Sequence, residues 1–226
     1  MFASISIRYD LANRLLSLGI DQLWRKKLIT AALQLTPNPQ AALDVACGTG
    51  DVAIALRERL GHQVLVTGCD FSPEMLSLAR KKSNQVQWHD GDALALPFGS
   101  EIFDLVTMAF GLRNVRDPQL ALQELARVLR PGGTVAILEF GEPERTGLGT
   151  LLGTLLQRFN RFWLGTVGGA ISGRPEAYRY LSASSEKFYS RETLTALAQS
   201  SLGLRVESQS LFPGICYLLL IHKPRD

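Results

Sequence analysis

The chain has 226 residues, 46% of them hydrophobic and 20% charged, ordinary proportions for a soluble globular protein long enough to bury one sizeable core. A formal net charge of +3, without any Lys/Arg-rich run, falls short of a nucleic-acid-binding signature. The cysteines Cys47, Cys69 and Cys216 are odd in number and far apart; neither a disulfide framework nor a zinc-ligand spacing is present, which points to a reducing compartment.

The opening "MFASISIRYD" lacks the basic region and apolar core of a secretory signal. No stretch approaches the roughly 20 apolar residues of a spanning helix, so the expectation is a cytoplasmic protein, with contact at a membrane surface left open. Residues 1–35 read as an N-terminal helical cap ending in the basic "WRKK" at 24–27. "AALDVA" (41–46) is an apolar run ending in glycines, a strand buried on both faces. The amphipathic "DVAIALRERL" (51–60) predicts a helix and "QVLVTGCD" (63–70) the next strand. Ser72 and Pro73 open a second helix as cap and first-turn residue. Short strands follow at 86–92 and 103–110, then a helix from Asp117-Pro118 that "RPGG" (130–133) stops, then a strand at 134–140.

Alternating strands and helices imply a parallel sheet wound on both faces. The tail departs from that rhythm. A helix near 190–201 leads to two strands, 204–212 and "ICYLLLIHK" from 215, which predict an antiparallel hairpin. One domain, 1–226, holds all of this. An insertion at 145–180 sits outside the core, and its part 145–175 has no acid while mixing Leu, Phe and Trp with Arg158 and Arg161; that pattern suits a helix over an oily ligand or a lipid surface, or one packed on its own domain.

The first strand ends in "LDVACGTGDVA", and Gly48-x-Gly50-x-x-Ala53 fits the nucleotide-binding fingerprint, with Asp70 at the spacing of a ribose-binding acid. Nicotinamide, flavin and S-adenosylmethionine (SAM) enzymes share it. Three features favour SAM. Asp44, beside the glycines, suits an ammonium and would repel a pyrophosphate; Asp70 matches a vicinal diol; and Asp92, in "GDALALPF" (91–98), can accept from an adenine amino group. The closing hairpin also leaves little chain for a second substrate domain.

The motifs "LDVACGTGD", "GCDFSPEML", "GDALALPF", "FGLRNV", "LARVLRPGG" and "AYRYL", with "YDLANRLLSLGIDQLWRK" at 9–26, resemble the ubiquinone/menaquinone biosynthesis C-methyltransferase family over nearly the whole chain. "FGLRNV" and "AYRYL" are the specific ones. The resemblance implies an α/β, Rossmann-like class I SAM-dependent methyltransferase, with a mostly parallel seven-stranded sheet and a C-terminal antiparallel hairpin. It implies methyl transfer to a ring carbon of a demethylated prenylated quinol. The "RYLSASSEKFY" region and the short N-terminus look most like the demethylphylloquinone (2-phytyl-1,4-naphthoquinone) methyltransferases of oxygenic phototrophs.

Cofactor-binding positions are then expected at Asp44, Ala46, Gly48, Thr49, Gly50, Asp70, Phe71, Met75, Asp92, Ala93 and Ala109, where some relatives carry serine in place of Ala109. "SGRPE" (172–176) stands where other members have an Asn/Asp-rich stretch, and Ala12 and Asp21 replace a commoner Met and His; these changes blur the substrate rather than the reaction. Methyl transfer is an in-line displacement, favoured by alignment and exclusion of water. The acceptor carbon must be electron-rich, which calls for a reduced quinol with its oxygen held by donors or a base. Arg113 is expected to polarise that oxygen and Asn114 to orient it, with Tyr9, Asp10, Tyr178 and Tyr180 as further candidates. None of His62, His89 and His222 lies in a family motif. A prenylated quinol substrate and a membrane-surface contact at 145–170 are the expected partners, with no nucleic acid and no metal, and a homodimer is an open option. A prenylated benzoquinol acceptor, another small-molecule acceptor, a nicotinamide-dependent reductase and a non-catalytic SAM-binding scaffold are the alternatives.

Overall fold

A computed structural model gives the architecture, and it describes residues 19–141, 189–212 and 214–225. Helix α1 (Ile20–Leu35) leads into β1 (Ala41–Val45), α2 (Asp51–Leu60), β2 (Leu65–Asp70), α3 (Pro73–Lys82) and β3 (Gln87–Asp90). Strand β4 (Phe103–Ala109), a short 3₁₀ turn (Leu112–Asn114), α4 (Pro118–Val128) and β5 (Leu129–Phe140) follow; then come α5 (Arg191–Leu202), β6 (Arg205–Leu211) and β7 (Cys216–His222).

The strands form one seven-stranded sheet in the order β3-β2-β1-β4-β5-β7-β6. Strands β1 to β5 are parallel to one another, while β7 is antiparallel to both β5 and β6. Every residue of β1 is buried, as a strand covered on both faces requires. Leu122 and Leu125 of α4 and Leu194 and Ala198 of α5 pack into one hydrophobic layer. Trp24 and Leu28 of α1 and Leu56 of α2 belong to the other.

The local signals act as expected at the helix starts. Ser72 accepts from the Met75 amide with Pro73 at the first helical position, and Asp117 accepts from the Leu120 amide ahead of Pro118. Three boundaries differ from the sequence reading. The "WRKK" segment lies in the middle of α1 rather than at its end, because the helix continues to Leu35. Strand β3 is confined to Gln87–Asp90, and Asp92 lies beyond it, bridged to Ala95. The "RPGG" segment does not separate helix from strand: α4 ends at Val128 and β5 already begins at Leu129. The register jumps from Phe103↔Leu129 to Leu105↔Thr134; the inserted residues bulge out, with Gly132 at φ 80°.

The chain order fixes where a ligand can sit. From β1 the chain winds outward to β2 and β3, then returns to β4 on the other side of β1. The carboxyl ends of β1 and β4 therefore flank the point where the winding reverses, the usual crevice for ligands in such sheets. Both ends are held in left-handed backbone by non-glycine residues, Ala46 (φ 52°) and Phe110 (φ 57°), a conformation a non-glycine side chain adopts at a cost. Gly111 closes the approach, since a Cβ there would lie 2.7 Å from the Ala46 Cβ.

Candidate active site

Asp44 sits near the end of β1 and is 1% exposed. It faces Thr107 of β4 across the ladder, and the Thr107 hydroxyl donates to its Oδ1 at 2.7 Å. Burial pushes the Asp44 carboxyl up to about 7, against the Thr107 hydrogen bond, the Arg25 charge and the Ala53 amide, which favour the ionised form. Such a group passes from neutral to charged near physiological pH, and a cation placed against it would hold it ionised.

Asp70 closes β2. Its Oδ2 accepts from the Gly48 amide at 2.7 Å and its Oδ1 from the Ser72 amide at 2.9 Å, so one carboxylate ties the glycine loop to the start of α3. Burial still raises its pKa, outweighing the Ser72, Gly48 and Phe71 amides. Asp92 is exposed and caps its own loop by accepting from the Leu94 amide at 2.9 Å. The three acids thus stand at the ends of three adjacent strands, along one edge of the sheet.

The glycine loop is built to leave its backbone bare on the ligand side. Nothing would lie within 4 Å of a Cβ on Gly48, whereas at Gly50 (φ 87°) a Cβ would strike the Trp88 ring, which packs beneath the loop. The Gly50 amide donates to the Cys47 carbonyl at 2.9 Å, and the Gly48 amide is held by Asp70. These are amides that a dinucleotide-binding loop turns toward a pyrophosphate; here both are used inside the protein. Thr49 is 4% exposed and accepts from Lys82 Nζ at 2.8 Å, while the same ammonium holds Asp51 at 2.8 Å. Around the loop, Met75 and Ala93 are buried and Ala109 half-buried, but Phe71 is 77% exposed beside Asp70.

The β4 end has different chemistry. The Arg113 side chain is 3% exposed and that of Glu139 is fully buried, and they form an ion pair with Nη1 to Oε1 at 2.5 Å. Glu139 also accepts from the Arg113 amide (3.2 Å) and the Phe140 amide (2.9 Å). Arg113 Nη1 donates to the Phe110 carbonyl at 2.9 Å, and the guanidinium lies 5.1 Å from the Phe140 ring centroid. Its side chain is therefore turned inward, holding the loop, where the sequence reading aims it at a quinol oxygen. Asn114 is exposed and its Nδ2 donates to the Phe110 carbonyl at 3.2 Å. Tyr9, Asp10, Tyr178, Tyr180 and the insertion at 145–180 lie outside the described residues.

The profile of the ubiE/COQ5 methyltransferase family matches residues 1–223. The chain belongs to that family. A demethylmenaquinone methyltransferase of Thermus thermophilus is 42% identical over 99% of this chain and 100% of its own length. A 2-phytyl-1,4-naphthoquinone methyltransferase of Thermosynechococcus vestitus is 37% identical over 99% of this chain and 97% of its own. Among solved structures, a SAM-dependent methyltransferase from Aquifex aeolicus shares the fold, with a TM-score of 0.57 at 19% identity over 87% of this chain and 97% of its own. So does a Haemonchus contortus phosphoethanolamine N-methyltransferase bound to SAM, with a TM-score of 0.63 at 16% identity over 88% of this chain and 53% of its own.

As a ubiE/COQ5 family member the protein is a SAM-dependent methyltransferase. The edge fits that cofactor: it presents carboxylates at the ends of neighbouring strands and a glycine loop whose Gly48 and Gly50 amides are already used inside the protein. Among the described residues no helix is long and apolar enough to cross a membrane. Sequence reasoning missed Thr107, Lys82, Trp88 and Glu139. Thr107 and Glu139 did carry a signal, as polar residues set within the apolar runs "FDLVTMAF" and "TVAILEF". Lys82 and Trp88 carried none.

Proposed function

We propose that the protein transfers the methyl group of SAM to a ring carbon of a reduced, prenylated naphthoquinol. The row of Asp44, Asp70 and Asp92 at the ends of β1, β2 and beyond β3 carries the cofactor half of this reading. In it, Asp44 takes the ammonium group, Asp70 the ribose and Asp92 the adenine edge, with Ala46, Gly48, Thr49, Gly50, Phe71, Met75, Ala93 and Ala109 shaping the cradle. The names of relatives at 42% and 37% identity over nearly the full chain support a naphthoquinone acceptor.

SAM supplies an electrophilic methyl on a sulfonium. The chain's own contribution is placement and exclusion of water. Arg113 acts as a positioning residue: paired with Glu139, it fixes the Phe110 carbonyl and the turn through Gly111 to Asn114. Asn114 then orients the acceptor, and Tyr9, Tyr178 and Tyr180 are assigned to hold its oxygen or take its proton. The acid-free insertion at 145–170, with Arg158 and Arg161 among its Leu, Phe and Trp, is assigned to the prenyl tail at a membrane surface.

Incubation with methyl-labelled SAM and reduced demethylmenaquinol, 2-phytyl-naphthoquinol or a prenylated benzoquinol tests the acceptor. Faster turnover of the two naphthoquinols is expected; a preference for the benzoquinol would overturn the head-group assignment. Vesicle flotation of the full chain and of a 145–170 deletion tests the membrane contact, and equal flotation of the two would refute it.

A further inference from the structure

Helix α1 turns one flank toward α2, and Arg25 lies on it. Its side chain is 21% exposed, and its guanidinium stands between two acids without closing on either. Nε is 3.7 Å from Asp21 Oδ2 and Nη1 is 3.9 Å from Asp51 Oδ2, both beyond hydrogen-bond length. Asp51 has a firmer cation at its other oxygen, Lys82 Nζ at 2.8 Å. Arg25 Nε is buried and has no hydrogen-bond partner among the described residues. The guanidinium also lies 5.9 Å from the Phe110 ring centroid.

A buried donor left unpaired is costly, by about 1–3 kcal/mol and more for a charged group. Arg57 and Arg113 also have an orphaned Nε, but each closes other guanidinium nitrogens on protein oxygens. Arg25 closes none on a described residue, which points to a partner that arrives with a ligand. The position says which kind. Asp51 is the first residue of α2, directly after the glycine loop, and Phe110 is the left-handed residue that ends the β4 run. Arg25 therefore borders the crevice between the β1 and β4 loops. The buried Asp44 carboxyl feels its charge. A buried acid and an under-used guanidinium at one crevice match a zwitterion, an ammonium and a carboxylate on the same carbon.

We propose that Arg25 receives the α-carboxylate of the methionine moiety of SAM, with Asp44 on the ammonium side; this rests on the cradle reading of Asp44, Asp70 and Asp92 given above. Helix α1, which lies outside the nucleotide-binding core of the sequence, thereby becomes part of the cofactor site. A guanidinium suits the task because its planar fork pairs both oxygens of a carboxylate.

The test is a cycle of two proteins and two ligands read by calorimetry, without turnover. SAM and decarboxylated SAM differ only in the carboxylate; both keep the ammonium, the sulfonium and the nucleoside. The intact protein is expected to bind SAM about 10- to 100-fold more tightly than decarboxylated SAM, the range for a charge-assisted hydrogen bond. In Arg25→Ala that preference collapses to about threefold or less, while decarboxylated SAM binds nearly as before; Arg25→Lys restores part of the preference. Equal weakening of both ligands, or an undiminished preference in Arg25→Ala, would overturn the assignment. Binding of decarboxylated SAM reports on whether each variant is folded. Asp70→Ala addresses the cradle separately: if it leaves decarboxylated SAM binding unchanged, the cradle reading fails while the carboxylate preference still reads Arg25.

Discussion

The ends of β1 and β5 each bury one carboxyl at the same edge of the sheet, and the two have opposite surroundings. Glu139 is matched inside the protein, by a guanidinium at 2.5 Å and two backbone amides. Asp44 has a hydroxyl at 2.7 Å, and burial holds its pKa near 7. A carboxyl satisfied from within serves to hold structure, here the turn from Phe110 to Asn114. A carboxyl buried without a close cation of its own is poised for a cation brought by a ligand. The difference separates the part of the edge that positions from the part that binds.

The largest effect is expected where the internal pair is broken. Glu139→Ala or Arg113→Ala leaves a buried charge without its partner, a loss of about 3–5 kcal/mol, read as a lower denaturation midpoint. Replacing both with leucine is expected to recover most of that stability without restoring turnover, because the Phe110 carbonyl loses its Arg113 donor and keeps only the longer bond from Asn114. Full turnover in the double variant would remove Arg113 from the positioning role. Unchanged stability in either single variant would contradict the pairing itself.

This pair shows what the sequence concealed. Arg113 stood out beside Asn114 in "FGLRNV", but its partner lies 26 residues away, the single acid of the strand β5. Only the parallel pairing of β4 with β5 brings them together. The glycine loop, the helix caps and the acids after β1 and β2 are local, and local patterns are legible: α2 begins and ends at the residues its amphipathic run predicts. The "RPGG" bulge is not legible in the sequence, because Pro and Gly stop a helix and also interrupt a ladder, and the local pattern is the same for both. Arg25 looked like one cation in a basic run; its neighbours Asp21 and Asp51 come from α1's own turn and from α2.

The second effect concerns Asp44. For an acid with its folded pKa raised from 3.8 to about 7, the native state holds the proton more tightly than the unfolded chain. Stability without ligand therefore falls as pH rises from about 4 to 7 and levels off above it. SAM binding should run the other way, tightening as pH passes upward through 7, since the ammonium needs the ionised carboxylate. Arg25, Asp70 and Cys47 also bear on the group, so the profile is best taken as a difference from Asp44→Asn. That variant is expected to lose about tenfold in SAM affinity at pH 8, the size of one charge-assisted bond, and to show a flat profile. A smaller change is expected from Thr107→Val, which removes one hydrogen bond and moves the midpoint upward. A pH-independent affinity in the unaltered protein would erase the contrast between the two carboxyls.

Methyl transfer itself tests the account most directly. With methyl-labelled SAM and a reduced demethylated naphthoquinol, the label should appear on a ring carbon, and transfer should stop when the quinone is kept oxidised. Label on a quinol oxygen, or no transfer to the reduced acceptor by protein that binds SAM, would contradict it.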